Sequence, residues 1–286
     1  MDIVVIYNGL GNQMSQYAFY LSKQLSGQKV GFVLFNTGHN GIELKKLFHI
    51  SGECTLFRII YVVFWIKRWN WADCFITYLL KLFGVHVYCE NGNYAFQSVA
   101  LEPSPGVTIY LGGWHNPSYF EKYSTHVKKI FEFPEIVDEY NKKIIQEATD
   151  SHAVAIHVRG GDYMKDEFYN TYGVVCNQNY YKKAMSYIES SIETPIYYVF
   201  TNDIPLTQLL FKGRQIKIID YNKGEDAWKD MAIMSKFRSI IISNSTFSWW
   251  AAYLGRENKT VICPPYLQKG NITSDIFPKD WIRIDN

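Results

Sequence analysis

Three short clusters carry residue types that bind or move charge. The first is His157-Val158-Arg159-Gly160-Gly161-Asp162. Two glycines let the backbone come close to a ligand, and a guanidinium offers a rigid fork of donors that fits phosphate. The same residues also fit a tight turn in which Arg159 and Asp162 form a structural ion pair, and on this cluster alone the two readings stand level. The second cluster is Asn8-Gly9-Leu10-Gly11-Asn12-Gln13, a glycine loop whose backbone N–H groups face an anion if a helix follows. The third is Ser243-Asn244-Ser245-Thr246, whose hydroxyls and helix-opening N–H groups suit phosphate oxygens or supply a plain N-cap. Any one fits a structural role. All three in one chain favour a nucleotide diphosphate ligand.

The elements that must position these clusters follow from hydrophobic periodicity. Apolar runs at 3–7, 153–158 and 239–242 predict short buried strands ending at the three clusters, and ligands of open α/β sheets sit beyond such carboxyl ends. Met14, Tyr17, Ala18, Leu21 and Leu25 recur at helical spacing after the glycine loop. Further strands are expected at 30–35, 108–111, 196–200 and 216–219, with helices at 178–190 and through Asp226, Asp230 and Met234. A charged, exposed helix over 134–149 leads to the next domain. The expected domains are therefore 1–149 and 150–286, each a parallel sheet wrapped by helices.

Composition narrows the function. With 48% hydrophobic and 20% charged residues the chain can bury a proper core, and a formal net charge of +2 supplies no field for nucleic acid. Cys54, Cys74, Cys89, Cys176 and Cys263 form no CxxC pair, and their odd number argues against a disulfide framework or zinc site; reduced, buried thiols are expected. The N-terminus lacks the regions of a signal peptide, so a cytoplasmic location is expected. The apolar segments 55–66 and 74–85 are interrupted by Arg58 and Lys81 and fall short of the ~20 residues that span a bilayer. Segment 55–71, with Arg58, Lys67, Arg68, Trp69 and Trp71, reads either as buried helix or as a peripheral contact with a membrane face. A dinucleotide fingerprint fails, because Met14 replaces the third glycine and the second strand ends in Phe35-Asn36 without an acid. No GxxxxGK[ST] and no Asp-x-Asp occurs, so no metal is expected and Arg159 would balance the diphosphate charge. The loop 112–120 places Trp114, His115 and Asn116 where a strand gives way to a helix, which suits a polar, ring-shaped ligand; His115 alone also fits a structural role.

GLGNQMSQYAFY at 9–20, GGWHNPSYF at 112–120, HVRGGDY at 157–163, YYKKAMSYI at 180–188, YVFTND at 198–203 and DMAIMSKFRSIIISNSTFSWWAAYL at 230–254 together resemble the α-1,2-fucosyltransferases of bacteria and animals. The resemblance spans nearly the whole chain. It implies an inverting, metal-independent enzyme of the glycosyltransferase B type, with two Rossmann-like domains whose parallel sheets face a cleft. Its donor is GDP-β-L-fucose, held by the C-terminal domain, and its acceptor a galactose-ending glycan, lipid-linked if the membrane contact holds. Carried onto this sequence, Arg159 neutralises the diphosphate, His157 and Asp230 contact the guanosine, and Asn244, Ser245, Thr246 and the loop of Gly9, Gly11, Asn12 and Gln13 touch phosphate and sugar. Trp114, His115 and Asn116 are the expected acceptor contacts. The family commonly has a second arginine where this chain has Gly160. Of the carboxylates that follow Arg159, Asp162 is expected to brace the loop, and Glu167 is the candidate base, with a solvated loop charge as its alternative.

Overall fold

Runs apolar on every residue become the central strands, because a parallel strand is covered on both faces. In the computed structural model, which describes residues 1–54, 80–104, 106–270 and 275–285, β1 (Asp2–Ile6) is buried throughout. It pairs in parallel with β2 (Val30–Leu34) and β4 (Val107–Leu111), and β3 (Val85–Cys89) closes the order β2-β1-β4-β3. Helix α1 (Leu10–Leu25) buries Met14, Tyr17, Ala18 and Leu21 as their spacing predicts, whereas Leu25 is exposed at its end. Lys23, fully buried on α1, pairs with Asp2 at 2.9 Å and donates to the Ala100 carbonyl at 2.8 Å. The far end of α1 is thereby pinned to the start of β1. Segment 55–71 and residues 74–79 lie outside the described residues.

The second sheet has the order β10-β9-β8-β5-β6-β7, again entirely parallel. Its strands are β5 (Ala153–Val158), β6 (Ile196–Thr201), β7 (Ile216–Ile219), β8 (Ser239–Ile241), β9 (Thr260–Cys263) and β10 (Ile282–Arg283). Of its helices, α2 (Gln178–Glu189) packs Tyr181, Ala184, Met185 and Ile188 against the sheet, and its N-cap Asn177 accepts from the Tyr180 N–H at 3.0 Å. Two more, α3 (Trp228–Met234) and α4 (Thr246–Leu254), flank β8 in sequence. The expected α/β architecture of two parallel sheets is present, one sheet in each of two compact units, Met1–Glu132 and Phe133–Asn286.

The division falls after Glu132 and not at 149. The helix expected over 134–149 spans Glu139–Glu147 and belongs to the second unit, because Asn141 exchanges amide hydrogen bonds of 2.8 and 3.0 Å with Asn222, and Tyr198 donates to Glu147 at 2.8 Å. A second correction concerns Cys89, which is exposed at the end of edge strand β3, while Cys263 is buried as expected. Among the described residues no helix is long and apolar enough to cross a membrane.

Chain order fixes where ligands can sit. In the second sheet the chain runs outward from β5 through β6 to β7, then returns to β8 on the other side and runs outward through β9 to β10. The reversal leaves a crevice beyond the carboxyl ends of β5 and β8, the usual binding place in such sheets. In the first sheet the chain runs outward from β1 to β2, then crosses to the far edge at β3 and comes inward to β4 beside β1.

Candidate active site

The β5/β8 reversal brings two of the three clusters together. His157, the penultimate residue of β5, is buried and shares a 2.8 Å hydrogen bond between Nδ1 and Ser243 Oγ beyond β8. Burial, with the Arg159 charge as a second cause, lowers its pKa to about 3, so the imidazole is neutral at physiological pH. A neutral ring can accept or donate toward a nucleoside without bringing a second charge beside Arg159.

Arg159 follows one residue beyond β5. Its Nη2 lies 2.7 Å from Asp162 Oδ1 and its guanidinium sits 5.4 Å from the centre of the Tyr163 ring. The Arg159 Nε–H is buried without a hydrogen-bond partner among the described residues. An orphaned donor of this kind is costly and calls for a ligand or water oxygen. The loop itself is held from β6: the Gly160 N–H donates to Asn202 Oδ1 at 2.9 Å and the Gly161 N–H to Asp203 Oδ2 at 3.2 Å. The ion pair with Asp162 expected of a tight turn is therefore present, and it leaves the Nε–H without a partner among the described residues.

The hydroxyl turn divides its labour. Ser245 is the N-cap of α4, accepting from the Phe247 N–H at 3.3 Å, and Thr246 is the half-buried first helical residue. Asn244 is structural: buried, it donates to the Tyr172 and Leu267 carbonyls at 3.0 and 2.9 Å, so its side-chain nitrogen is committed to the loops beneath. Asp230 on α3 is buried and accepts from Asn222 Nδ2 at 2.7 Å, and desolvation raises its pKa to about 7. Asn222, in the loop after β7 and marked by no sequence motif, links Asp230 to Asn141 and so fixes the carboxylate. Glu167, in a single helical turn Asp166–Phe168, is exposed and shows no hydrogen bond or ion pair among the described residues.

In the N-terminal unit the glycine loop opens α1 as expected. Gly9 is the N-cap and supplies no side-chain cap, its carbonyl accepts from the Asn12 and Gln13 N–H groups at 2.9 and 3.1 Å, and Gly11 is buried in the first turn. Gln13 is not placed to touch a ligand. It is buried and spends its amide on backbone, donating to Asn8 and Gly41 carbonyls and accepting from the Glu43 and Leu44 N–H groups.

The expected acceptor contacts also need correction. Trp114 is fully buried with its ring stacked on Phe19 at 4.1 Å, and Asn116 is fully buried with its side chain capping the turn at Ser118, so neither presents a surface to a sugar. His115 lies buried beside Tyr94, and desolvation lowers its pKa to about 3. Glu90, beyond β3, holds this loop: its Oε2 accepts from the Gly113 and Trp114 N–H groups at 2.8 Å each, and Trp114 sits at φ +53°. Burial raises the Glu90 pKa to about 7. No sequence motif marks Glu90, because β3 alternates too weakly to stand out as a strand.

The family model described as Glycosyl transferase family 11 matches residues 3–285. The chain is 27% identical over 304 aligned positions to an alpha-1,2-colitosyltransferase of Escherichia coli, covering 100% of both proteins. It is 32% identical over 145 residues to the O-antigen biosynthesis glycosyltransferase WbnK of Escherichia coli, which covers 50% of this chain and 47% of that one. Against galactoside alpha-(1,2)-fucosyltransferase 1 of Saimiri boliviensis boliviensis the identity is 31% over 103 residues, 35% of this chain and 28% of that one. Among solved structures, NodZ alpha-1,6-fucosyltransferase soaked with GDP-fucose aligns with 89% of this chain and 92% of its own at 13% identity and a TM-score of 0.48. Because the family match runs through both units and takes in the loops beyond β1, β5 and β8 alike, the chain belongs to glycosyl transferase family 11 and is a glycosyltransferase.

Proposed function

We propose that the enzyme transfers L-fucose from GDP-β-L-fucose, with inversion, to the 2-hydroxyl of a terminal galactose on a glycan. The observation that carries this reading is the unspent, buried Nε–H of Arg159 at the β5/β8 reversal, beside a neutral His157 and the hydroxyls of Ser245 and Thr246. In the transfer, the acceptor oxygen forms a bond to the anomeric carbon as the bond from that carbon to the GDP oxygen breaks. Positive charge builds on the sugar and negative charge on the diphosphate, so donors fixed around the phosphates favour the transition state over the ground state. Arg159 is the principal one. The Asp230 carboxylate, held from one side by Asn222, has the acceptor chemistry that a guanine edge with adjacent N–H donors requires. The acceptor's hydroxyl proton passes to a carboxylate or to water.

A second reading is favoured by one observation: the relative matched over its whole length is named a colitosyltransferase, and colitose is fucose without the 3-hydroxyl. Side-by-side incubation of the purified enzyme with GDP-fucose and GDP-colitose, read by release of GDP and by mass of the product, separates the two donors. Preference for the deoxy sugar would move the assignment to colitosyl transfer with the same residues in the same roles.

A further inference from the structure

Beyond β3 the chain winds through 90–101 and leaves an open pocket of about 580 Å³, within the roughly 300–1,000 Å³ of small-molecule sites. Among the described residues Tyr88, Cys89, Asn91, Phe96, Gln97, Ser98 and Val99 line it, none of them with a charged side chain. Asn91, Phe96, Ser98 and Val99 are exposed. Tyr88 donates its hydroxyl to Gln97 Oε1 at 2.8 Å, which orients the Gln97 amide and leaves its nitrogen without a protein partner among the described residues. An aromatic face beside amides and hydroxyls, without charge, is the recognition chemistry of a neutral sugar: a pyranose packs its C–H face on a ring and its hydroxyls bond to amides.

The lining loop is rigidly backed. The Phe96 ring lies 5.1 Å from that of Tyr119, the Gln97 N–H donates to the Tyr119 hydroxyl at 3.1 Å, and Asn116 Nδ2 donates to the Tyr94 carbonyl at 3.4 Å. The largely buried loop 114–119, which the sequence marked for ligand contact, thus braces the loop that has the exposed ring and amides. We propose that this pocket is the subsite for a neutral sugar of the acceptor glycan, with Phe96 as its platform. The proposal rests on the transferase reading above and names where its acceptor binds.

Saturation-transfer NMR of a galactose-ending oligosaccharide mixed with the whole chain, without donor, reads the subsite independently of catalysis. The wild type is expected to saturate the sugar protons. Phe96→Ala removes the platform and Val99→Trp fills the pocket; each should abolish the signal and raise the acceptor KM about tenfold or more, with kcat and GDP affinity unchanged. Unchanged acceptor KM and unchanged saturation in a folded variant would overturn the proposal, as would absence of any saturation with a wild type that still transfers. Failure of the donor reading looks different: the oligosaccharide binds and the variants weaken it, but GDP-fucose is not consumed.

Discussion

The guanidinium of Arg159 reaches three residues along its own loop to Asp162, Nη2 to Oδ1 at 2.7 Å, while its Nε–H has no partner among the described residues. Asp162 aims the fork and the unspent donor awaits an oxygen. Arg159→Ala should lower kcat by about 10²–10³, as expected for removing one preorganised donor to developing charge, without lowering the melting temperature appreciably. Asp162→Asn breaks the same ion pair, so it should change stability about as little while keeping measurable transfer at a reduced rate, because the guanidinium is no longer aimed. Steady-state rates and melting curves on both variants check the pair; an active, well-folded Arg159→Ala enzyme would remove Arg159 from the mechanism.

With Asp162 engaged by Arg159, Glu167 and its neighbour Asp166 are the carboxylates in this stretch left for proton transfer, and Glu167 is the candidate. If it is the base, Glu167→Gln lowers turnover by roughly 10²–10⁴ with GDP affinity unchanged. Near wild-type turnover would return the proton to water or another group and leave Glu167 a solvated charge.

Gly160 cannot simply be restored to the arginine common in the family. Its backbone is not left-handed, at φ −111°, so the obstacle is space: a Cβ there falls on the Asp203 side chain, which also receives the Gly161 N–H and caps the helix at Leu206. Gly160→Arg should therefore lose about 1–3 kcal/mol of stability by overpacking and should not tighten GDP binding. Calorimetry with GDP, alongside a melting curve, decides; tighter binding at full stability would show that the loop makes room.

Asp230 and Glu90 give a pH dependence whose sign can be worked out. Desolvation raises both pKa values to about 7, from unfolded values of 3.8 and 4.5. The folded chain holds these protons more firmly than the unfolded chain, so their contribution to stability is full below about pH 4 and is lost as pH rises toward 7. If the ionised Asp230 receives the guanine N–H groups, GDP affinity rises over that same approach to pH 7 and above. Asp230→Asn should weaken GDP binding and flatten its pH dependence in a titration series; an unchanged profile would take Asp230 out of the nucleoside site.

The sequence contains no Asp-x-Asp, and among the described residues no three His, Cys, Asp or Glu side chains converge. Transfer should therefore survive EDTA. Complete loss on chelation, restored by magnesium or manganese, would require a metal site.

Much of this site was legible because its residues sit at strand ends. His157, Arg159, Ser245 and Thr246 follow fully apolar runs, and the β5/β8 pairing that joins them is the usual outcome of strand–helix alternation. What stayed hidden depends on contacts far apart in sequence. Gln13, Asn244 and Asn116 are polar residues in ligand-like loops, and only the fold reveals that backbone groups 23 to 72 positions away for Asn244, and about 30 for Gln13, consume their hydrogen bonds. Glu90 and the lining of the neighbouring pocket lie on an edge strand and its loop, whose mixed pattern carries no period to read.

The most direct measurement is the transfer itself: purified enzyme, GDP-fucose and a lactose-type acceptor ending in galactose, with the product's linkage assigned by NMR. An α-linked fucose on the galactose 2-hydroxyl, formed from the β-linked donor with stoichiometric release of GDP, is the expected result. No fucosylated product across a panel of galactose-ending acceptors, from an enzyme that transfers a different sugar at the same conditions, would contradict the assignment.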